Sequence, residues 1–196
     1  MSDVVPTPTL NAVPFWFLRH GETDWNAQGL SQGNVDIPLN PTGLAQARSA
    51  AERLRHRGIT TIVASPLSRA RVTAEIVGDA LSLPVNIEDG LREVRFGVQE
   101  GQPMADWFAD WVAGRVTPEG AESFPALRHR AVISVNSATS QPPVVLVVAH
   151  GALFRAIRNA MGIELLIRTP NAVPIWCEPP ASNGAAWALN YGGGSL

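Results

Sequence analysis

The chain has 196 residues, 45% of them hydrophobic, a formal net charge of −2 and a pI near 6.1. This is enough for one domain around a single core, and it lacks the overall basic charge that nucleic acid or an anionic membrane surface would favour. All 15 basic residues are arginine, which excludes a Walker phosphate-loop lysine, a kinase strand lysine and a Schiff-base lysine but leaves bidentate phosphate recognition open.

The lone Cys177 can form neither an internal disulfide nor a cysteine-based metal site, which fits a reducing compartment. No apolar run approaches the roughly 20 residues of a spanning helix, and the N-terminus lacks a cationic leader. A soluble cytoplasmic protein is expected.

Residues 1–12, with their Pro and Thr content, are expected to form a flexible tail, residues 13–191 one domain, and residues 192–196 a second tail. Val13 to Leu18 is short, apolar and aromatic, as expected of a strand buried on both faces. Asn40-Pro41 marks a helix start, with Leu44, Ala47, Ala51 and Leu54 at helical spacing and Gly58 as the stop. Thr60 to Ala64 is a β-branched strand, Ser68 to Leu81 a helix with Val72 and Ile76 pointing inward, and Pro84 to Ile87 a short strand.

From Leu91 to Glu122 glycine, proline and charge interrupt the pattern, with one short helix around Met104 to Ala113; this is the expected lid or substrate loop. Phe124 to Asn136 is a helix, Val144 to Ala149 a strand bracketed by Pro142-Pro143 and His150-Gly151, and Ala152 to Met161 a further helix. Ala172 to Trp176 and Ala186 to Asn190 close the sheet. The alternation predicts an α/β fold, a three-layer sandwich with a largely parallel, mixed central sheet flanked by helices. Ligands in such folds bind beyond the carboxyl ends of strands. Arg19-His20-Gly21 and His150-Gly151 both stand there, each between an apolar strand and a turn.

Four segments then line up: Arg19-His20-Gly21-Glu22-Thr23-Asp24-Trp25-Asn26, Ser65-Pro66-Leu67-Ser68-Arg69-Ala70-Arg71-Val72-Thr73, Leu91-Arg92-Glu93-Val94-Arg95-Phe96-Gly97, and Val148-Ala149-His150-Gly151. In this order the chain resembles the histidine phosphatase superfamily, the phosphoglycerate-mutase-like enzymes, from Val13 to Asn190. The resemblance implies that His20 attacks phosphorus and becomes a phosphohistidine, that Arg19, Arg69 and His150 grip the phosphoryl oxygens, and that Glu93 gives the leaving group its proton. It further implies phosphate or substrate contacts from Gly21, Thr23, Asn26, Gln32, Gly33 and Gly151.

Physical chemistry supports that allocation. A phosphoryl group in transfer spreads negative charge over its equatorial oxygens, so fixed positive charge does most of the work. Neighbouring guanidinium groups disfavour a further positive charge and so favour a neutral, nucleophilic His20. Gly21 is expected to leave room for phosphate beside the backbone. Glu122, or another loop acid, is the alternative proton donor.

Two departures from the family pattern bear on the substrate wall. Many relatives carry Trp where Gln99 stands, and some read Gly-Glu-Ser where this chain has Gly120-Ala121-Glu122-Ser123. His56 and His129 are assigned to solvent, Arg155 and Arg158 to a polar helix face, and Trp107, Phe108 and Trp111 to core packing or a lid helix. No His, Asp or Glu grouping has metal-ligand spacing, so neither metal nor other cofactor is expected.

The preferred activity is hydrolysis of a small-molecule phosphomonoester. The rivals are a phosphoglycerate-mutase-type phosphotransferase and a catalytically quiet phosphate-binding module. The stretch from Gly101 to Ser123 is short and holds only Arg115 as a basic residue, which favours hydrolysis over the mutase. No nucleic acid or membrane partner is expected, and a homodimer is the default form of association.

Overall fold

The computed structural model describes residues 8–182 and 185–192. Its framework is a six-stranded sheet of order β3-β2-β4-β1-β5-β6, built from β1 (Phe15–Arg19), β2 (Thr61–Ala64), β3 (Val85–Ile87), β4 (Val145–Ala149), β5 (Ile175–Glu178) and β6 (Ala188–Tyr191). The strands β3, β2, β4 and β1 run parallel, and β5 pairs antiparallel with both β1 and β6. The helices are α1 (Asp24–Ala27), α2 (Pro41–Leu54), α3 (Ser68–Leu81), α4 (Trp107–Val112), α5 (Phe124–Thr139) and α6 (Gly151–Met161).

The central strands are apolar at every position because both of their faces are covered. Phe15, Phe17, Val145 and Val147 point into one core with Leu127 and Val135 of α5 and Phe154 and Ile157 of α6. Trp16, Leu18, Leu146 and Val148 alternate into the other, against Ala50, Ala51 and Leu54 of α2 and Ala74 and Val77 of α3. The result is the expected three-layer α/β sandwich around a mixed, mostly parallel sheet.

The α2 start forms as predicted, with the Asn40 side chain accepting the Gly43 N–H and Pro41 in the first turn. Several boundaries differ for identifiable reasons. α2 ends at Leu54, before the chain turns through left-handed His56 (φ 65) and Gly58 (φ 67). On α3, Val72 and Ile76 are only half-buried; the inward stripe is Ala70, Thr73, Ala74 and Val77, because the close approach of α3 to the sheet selects small side chains. Ala172, expected in a strand, is left-handed (φ 48) and gives its N–H to the Arg19 carbonyl, so β5 starts later, after Pro174.

Most of the two predicted tails, residues 1–7 and 193–196, lies outside the described residues. Where the N-terminal tail is described it is tied to α5: Asn136 accepts from the Asn11 N–H and donates to the Thr9 carbonyl, both at 2.9 Å. Gly192, assigned to the C-terminal tail, likewise donates its N–H to the Pro174 carbonyl at 2.8 Å.

Candidate active site

The sheet order places the site. β1 and β4 are parallel neighbours with Arg19 beside Ala149, so the next residue of each strand, His20 and His150, comes off the same rim. The His20 N–H bonds to the Ala149 carbonyl at 3.0 Å, and the two imidazole centroids stand 5.3 Å apart. Ser65, just beyond β2 on the other side of β4, joins them through its N–H to the Val148 carbonyl.

Both rings are buried, and a backbone carbonyl fixes the tautomer of His20. His20 Nδ1 lies 2.7 Å from the Gly21 carbonyl, which can only accept, so Nδ1 carries the proton and Nε2 keeps its lone pair. The Ser65 hydroxyl accepts the Leu67 N–H and forms a hydrogen bond with His150 Nε2 at 2.8 Å, a contact that either tautomer of His150 satisfies. Burial first, then the charges of Arg69 and Arg19, hold His20 well below the usual histidine pKa, against a smaller upward pull from the Gly21 carbonyl. His150 is lowered in the same sense by burial and then by Arg69, His20, Arg19 and Arg130.

Arg19 and Arg69 are buried cations anchored on backbone carbonyls. Arg19 Nη1 donates to the Thr169 carbonyl at 2.7 Å, while Arg69 donates Nη1 to Val35 at 2.8 Å and Nη2 to Gly33 at 2.7 Å. Burial is the main cause that brings each guanidinium down to about 10, opposed chiefly by Glu93. Among the described residues, Arg19 Nε, Arg69 Nε and His150 Nδ1 are buried nitrogens without a partner, a condition shared by Arg158 Nε, Trp16 Nε1 and Trp107 Nε1. An unmet buried donor costs about 1–3 kcal/mol, and the two guanidinium Nε–H groups beside His20 are ones that an anionic acceptor in the cavity would satisfy.

Glu93 is also buried, and its carboxylate accepts the backbone N–H groups of Ala152 and Leu153 in the first turn of α6, at 3.0 and 2.9 Å. It shares with Arg19, His20, Arg69, Gln32 and Gly151 a cavity of about 430 Å³. Glu122 does not line that cavity. It pairs with Arg130 at 2.6 Å on a separate surface depression. No group of three or more His, Cys, Asp or Glu among the described residues is placed to hold a metal ion.

A family model of the histidine phosphatase superfamily (branch 1) matches residues 15–171. The chain belongs to the histidine phosphatase superfamily. It is 40% identical over 143 residues, 71% of this chain and 72% of the relative, to an uncharacterized phosphatase, PhoE, of Bacillus subtilis (strain 168). It is 37% identical over 148 residues, 69% and 68% of the two chains, to a probable phosphoglycerate mutase, GpmB, of Yersinia pestis. A mycobacterial glucosyl-3-phosphoglycerate phosphatase, solved with vanadate (VO3), superposes with a TM-score of 0.75 at 28% identity, covering 92% of this chain and 97% of that one.

Against this histidine phosphatase framework the other sequence-predicted residues fall into two groups. Asn26, Gln32, Gly33 and Gly151 line the cavity. Gly21 and Thr23 do not: Thr23 caps α1 in a reciprocal pair with Asn26, and Gly21 is pressed against α2, where a Cβ would sit 2.4 Å from the Gly43 carbonyl oxygen. The glycine of the Arg-His-Gly triplet thus makes room for a helix backbone, where the sequence suggested phosphate.

The helix-face assignments of two arginines need correction. Arg158 is buried, donating to the Ile167 carbonyl at 2.7 Å and to the Tyr191 hydroxyl. Arg155 lines the cavity, as does Arg168, which sequence reasoning did not single out. On the helix assigned to core packing or a lid, Trp111 is core, while Phe108 and Ala109 line the cavity. His56 is exposed as expected, but His129 is half-buried.

Proposed function

We propose that this histidine phosphatase family member is a phosphomonoester phosphatase that works through a phosphohistidine on His20. The observation that carries this reading is the convergence of an Nδ1-protonated imidazole with unpartnered Nε–H donors of Arg19 and Arg69 and the ring of His150 beyond the carboxyl ends of β1 and β4. Those donors complement the charge that builds on the equatorial oxygens during phosphoryl transfer.

In the first step the His20 Nε2 lone pair attacks phosphorus, the P–N bond forms and the ester P–O bond breaks. The leaving oxygen takes the proton of the Glu93 carboxyl. The imidazole stays protonated on Nδ1, where the Gly21 carbonyl stabilises its developing charge. In the second step the Glu93 carboxylate removes a proton from water, the resulting oxygen attacks phosphorus, and the P–N bond breaks. Neutral His20 and inorganic phosphate are released, and Glu93 is protonated again. Glu93 is supported over Glu122 because it shares the cavity with His20, whereas Glu122 is committed to Arg130.

A mutase would hand the phosphoryl group to a second hydroxyl instead of water, and the Yersinia relative's name keeps that reading in view. Hydrolysis is favoured because Arg115, the one basic residue between Gly101 and Ser123, is paired with Asp110 at 2.5 Å. Rapid acid-stable and acid-labile phosphoenzyme trapping with a 32P-labelled ester, with phosphate release and isomer formation followed together, tests the proposal. An acid-labile phosphoenzyme absent from His20→Ala, with phosphate as product, is expected; substantial turnover by His20→Ala refutes it.

A further inference from the structure

Arg155 on α6 and Arg168 on the loop before β5 line the cavity without belonging to the grip proposed for the scissile phosphate. Their bonding separates them from the other arginines nearby. Arg19 and Arg69 are anchored on carbonyls, Arg158 on a carbonyl and a hydroxyl, and Arg130 on a carboxylate. Neither Arg155 nor Arg168 makes a hydrogen bond or ion pair to any described residue. The Arg155 guanidinium lies 4.7 Å above the centroid of the Phe108 ring; burial disfavours its charge first, Glu93 favours it, and Arg158 and then Arg168 oppose it.

The charges in the cavity are also out of balance for a simple phosphate ester. Four guanidinium groups face two carboxylates, Glu93 and Asp106. Asp36 and Glu100, outside the lining, also favour the Arg69 charge, and with Glu93 protonated as donor the lining keeps a net positive charge that a second anion would offset. Beside the two free arginines the cavity presents Leu30, Met104, Phe96 and Phe108, an apolar wall suited to a carbon frame.

We infer that the substrate's leaving group carries a second anionic group, a carboxylate or a further phosphate, held by Arg155 and Arg168 while its carbon frame rests on Leu30, Met104 and Phe108. The inference deepens the phosphatase reading and rests on it for the position of the first phosphate. Arginine suits this task because its fork meets either anion in bidentate fashion. Arg155 is half-buried, so an incoming anion would relieve part of the cost of its desolvation, while Arg168 is exposed and lines the same cavity from its solvent side.

Two matched ester pairs provide the test. 3-Phosphoglycerate and glycerol 3-phosphate differ only by a carboxylate in place of a hydroxymethyl group; fructose 1,6-bisphosphate and fructose 6-phosphate differ by one phosphate. The natural chain is expected to favour the more anionic member of at least one pair by about tenfold or more in kcat/KM, and the pair showing the larger ratio identifies the anion. In Arg155→Gln, Arg168→Gln and the double variant that ratio falls toward one. Parity in the natural chain, or an equal loss on both members of each pair in the variants, overturns the inference and assigns these arginines to the scissile phosphate instead. The same ratios measured as Kd by calorimetry on His20→Ala need no turnover. A binding preference without hydrolysis retires the phosphatase reading alone, whereas hydrolysis without preference retires the second-anion subsite alone.

Discussion

Gly21→Ala tests how the rim carrying the nucleophile is fixed. The new Cβ would stand 2.4 Å from the Gly43 carbonyl oxygen and 2.9 Å from its carbon. Ordinary contact begins near 3.4 Å, so the two segments must part by about 1 Å. No side-chain rotation can relieve this, because both sides of the contact are backbone. Retreat of α2 is opposed at its first turn, where Asn40 accepts the Gly43 N–H at 2.8 Å and gives its own N–H to the Glu22 carbonyl at 3.0 Å. Overpacking of this kind costs about 1–3 kcal/mol, and about 2 kcal/mol in a domain of this size lowers the melting temperature by roughly 4–8 °C. Activity should suffer more than stability, since the Gly21 carbonyl orients the His20 ring and a displacement near 1 Å can cost about 100-fold. Thermal melting and kcat/KM at 20 °C on the same preparation check both. A variant that melts within about 1 °C of the natural chain and keeps its kcat/KM refutes the steric argument.

His20 and His150 have pKa values below those of unfolded histidine, so as pH falls through about 6.5 the unfolded chain takes up protons that the native rings refuse. Their stabilisation is complete above pH 6.5 and is lost on acidification, at up to about 1.4 kcal/mol per pH unit for each ring until its folded pKa is reached. Melting curves between pH 7.5 and pH 5.0 should show that decline, with a smaller slope in His20→Ala; an unchanged slope in the variant contradicts the depressed value. Glu93→Gln should slow the first step, read as the single-turnover release of the alcohol, by about 100-fold or more with alkyl phosphates and far less with p-nitrophenyl phosphate, whose leaving group needs no proton, while the water step slows equally for both; an equal loss in the first step would remove Glu93 from the donor role.

What could be read in the sequence was local. The runs at Phe15–Arg19 and Val145–Ala149 announce strands covered on both sides, and a histidine directly after each is a pattern visible without coordinates. The Asn40-Pro41 cap is legible for the same reason, since every group it uses lies within one turn. Gly21 shows where locality fails. Its close neighbour Gly43 sits on another element, and a glycine needed for helix approach looks the same in sequence as one needed for a ligand. Glu93 is preferred in the sequence only through its motif, with Glu122 as the alternative in a segment without periodicity, and the turn that puts Glu93 on the first amides of α6 and Glu122 on Arg130 separates them in space.

α6 carries the same lesson into the substrate end of the cavity. Arg155 and Arg158 stand one turn apart and look alike as members of a polar face, yet the chain that follows the helix divides their tasks. That loop returns over α6 so that Arg158 holds the Ile167 carbonyl and Arg19 holds the Thr169 carbonyl at the same distance, 2.7 Å. The Arg168 backbone is thereby held between two buried guanidinium anchors, one belonging to the helix and one to the proposed phosphate grip. A loop tethered on both sides of this exposed arginine limits how far its guanidinium can range from the phosphate site. This geometric restraint lets the length of a substrate, and not its charge alone, decide whether its second anion reaches Arg168.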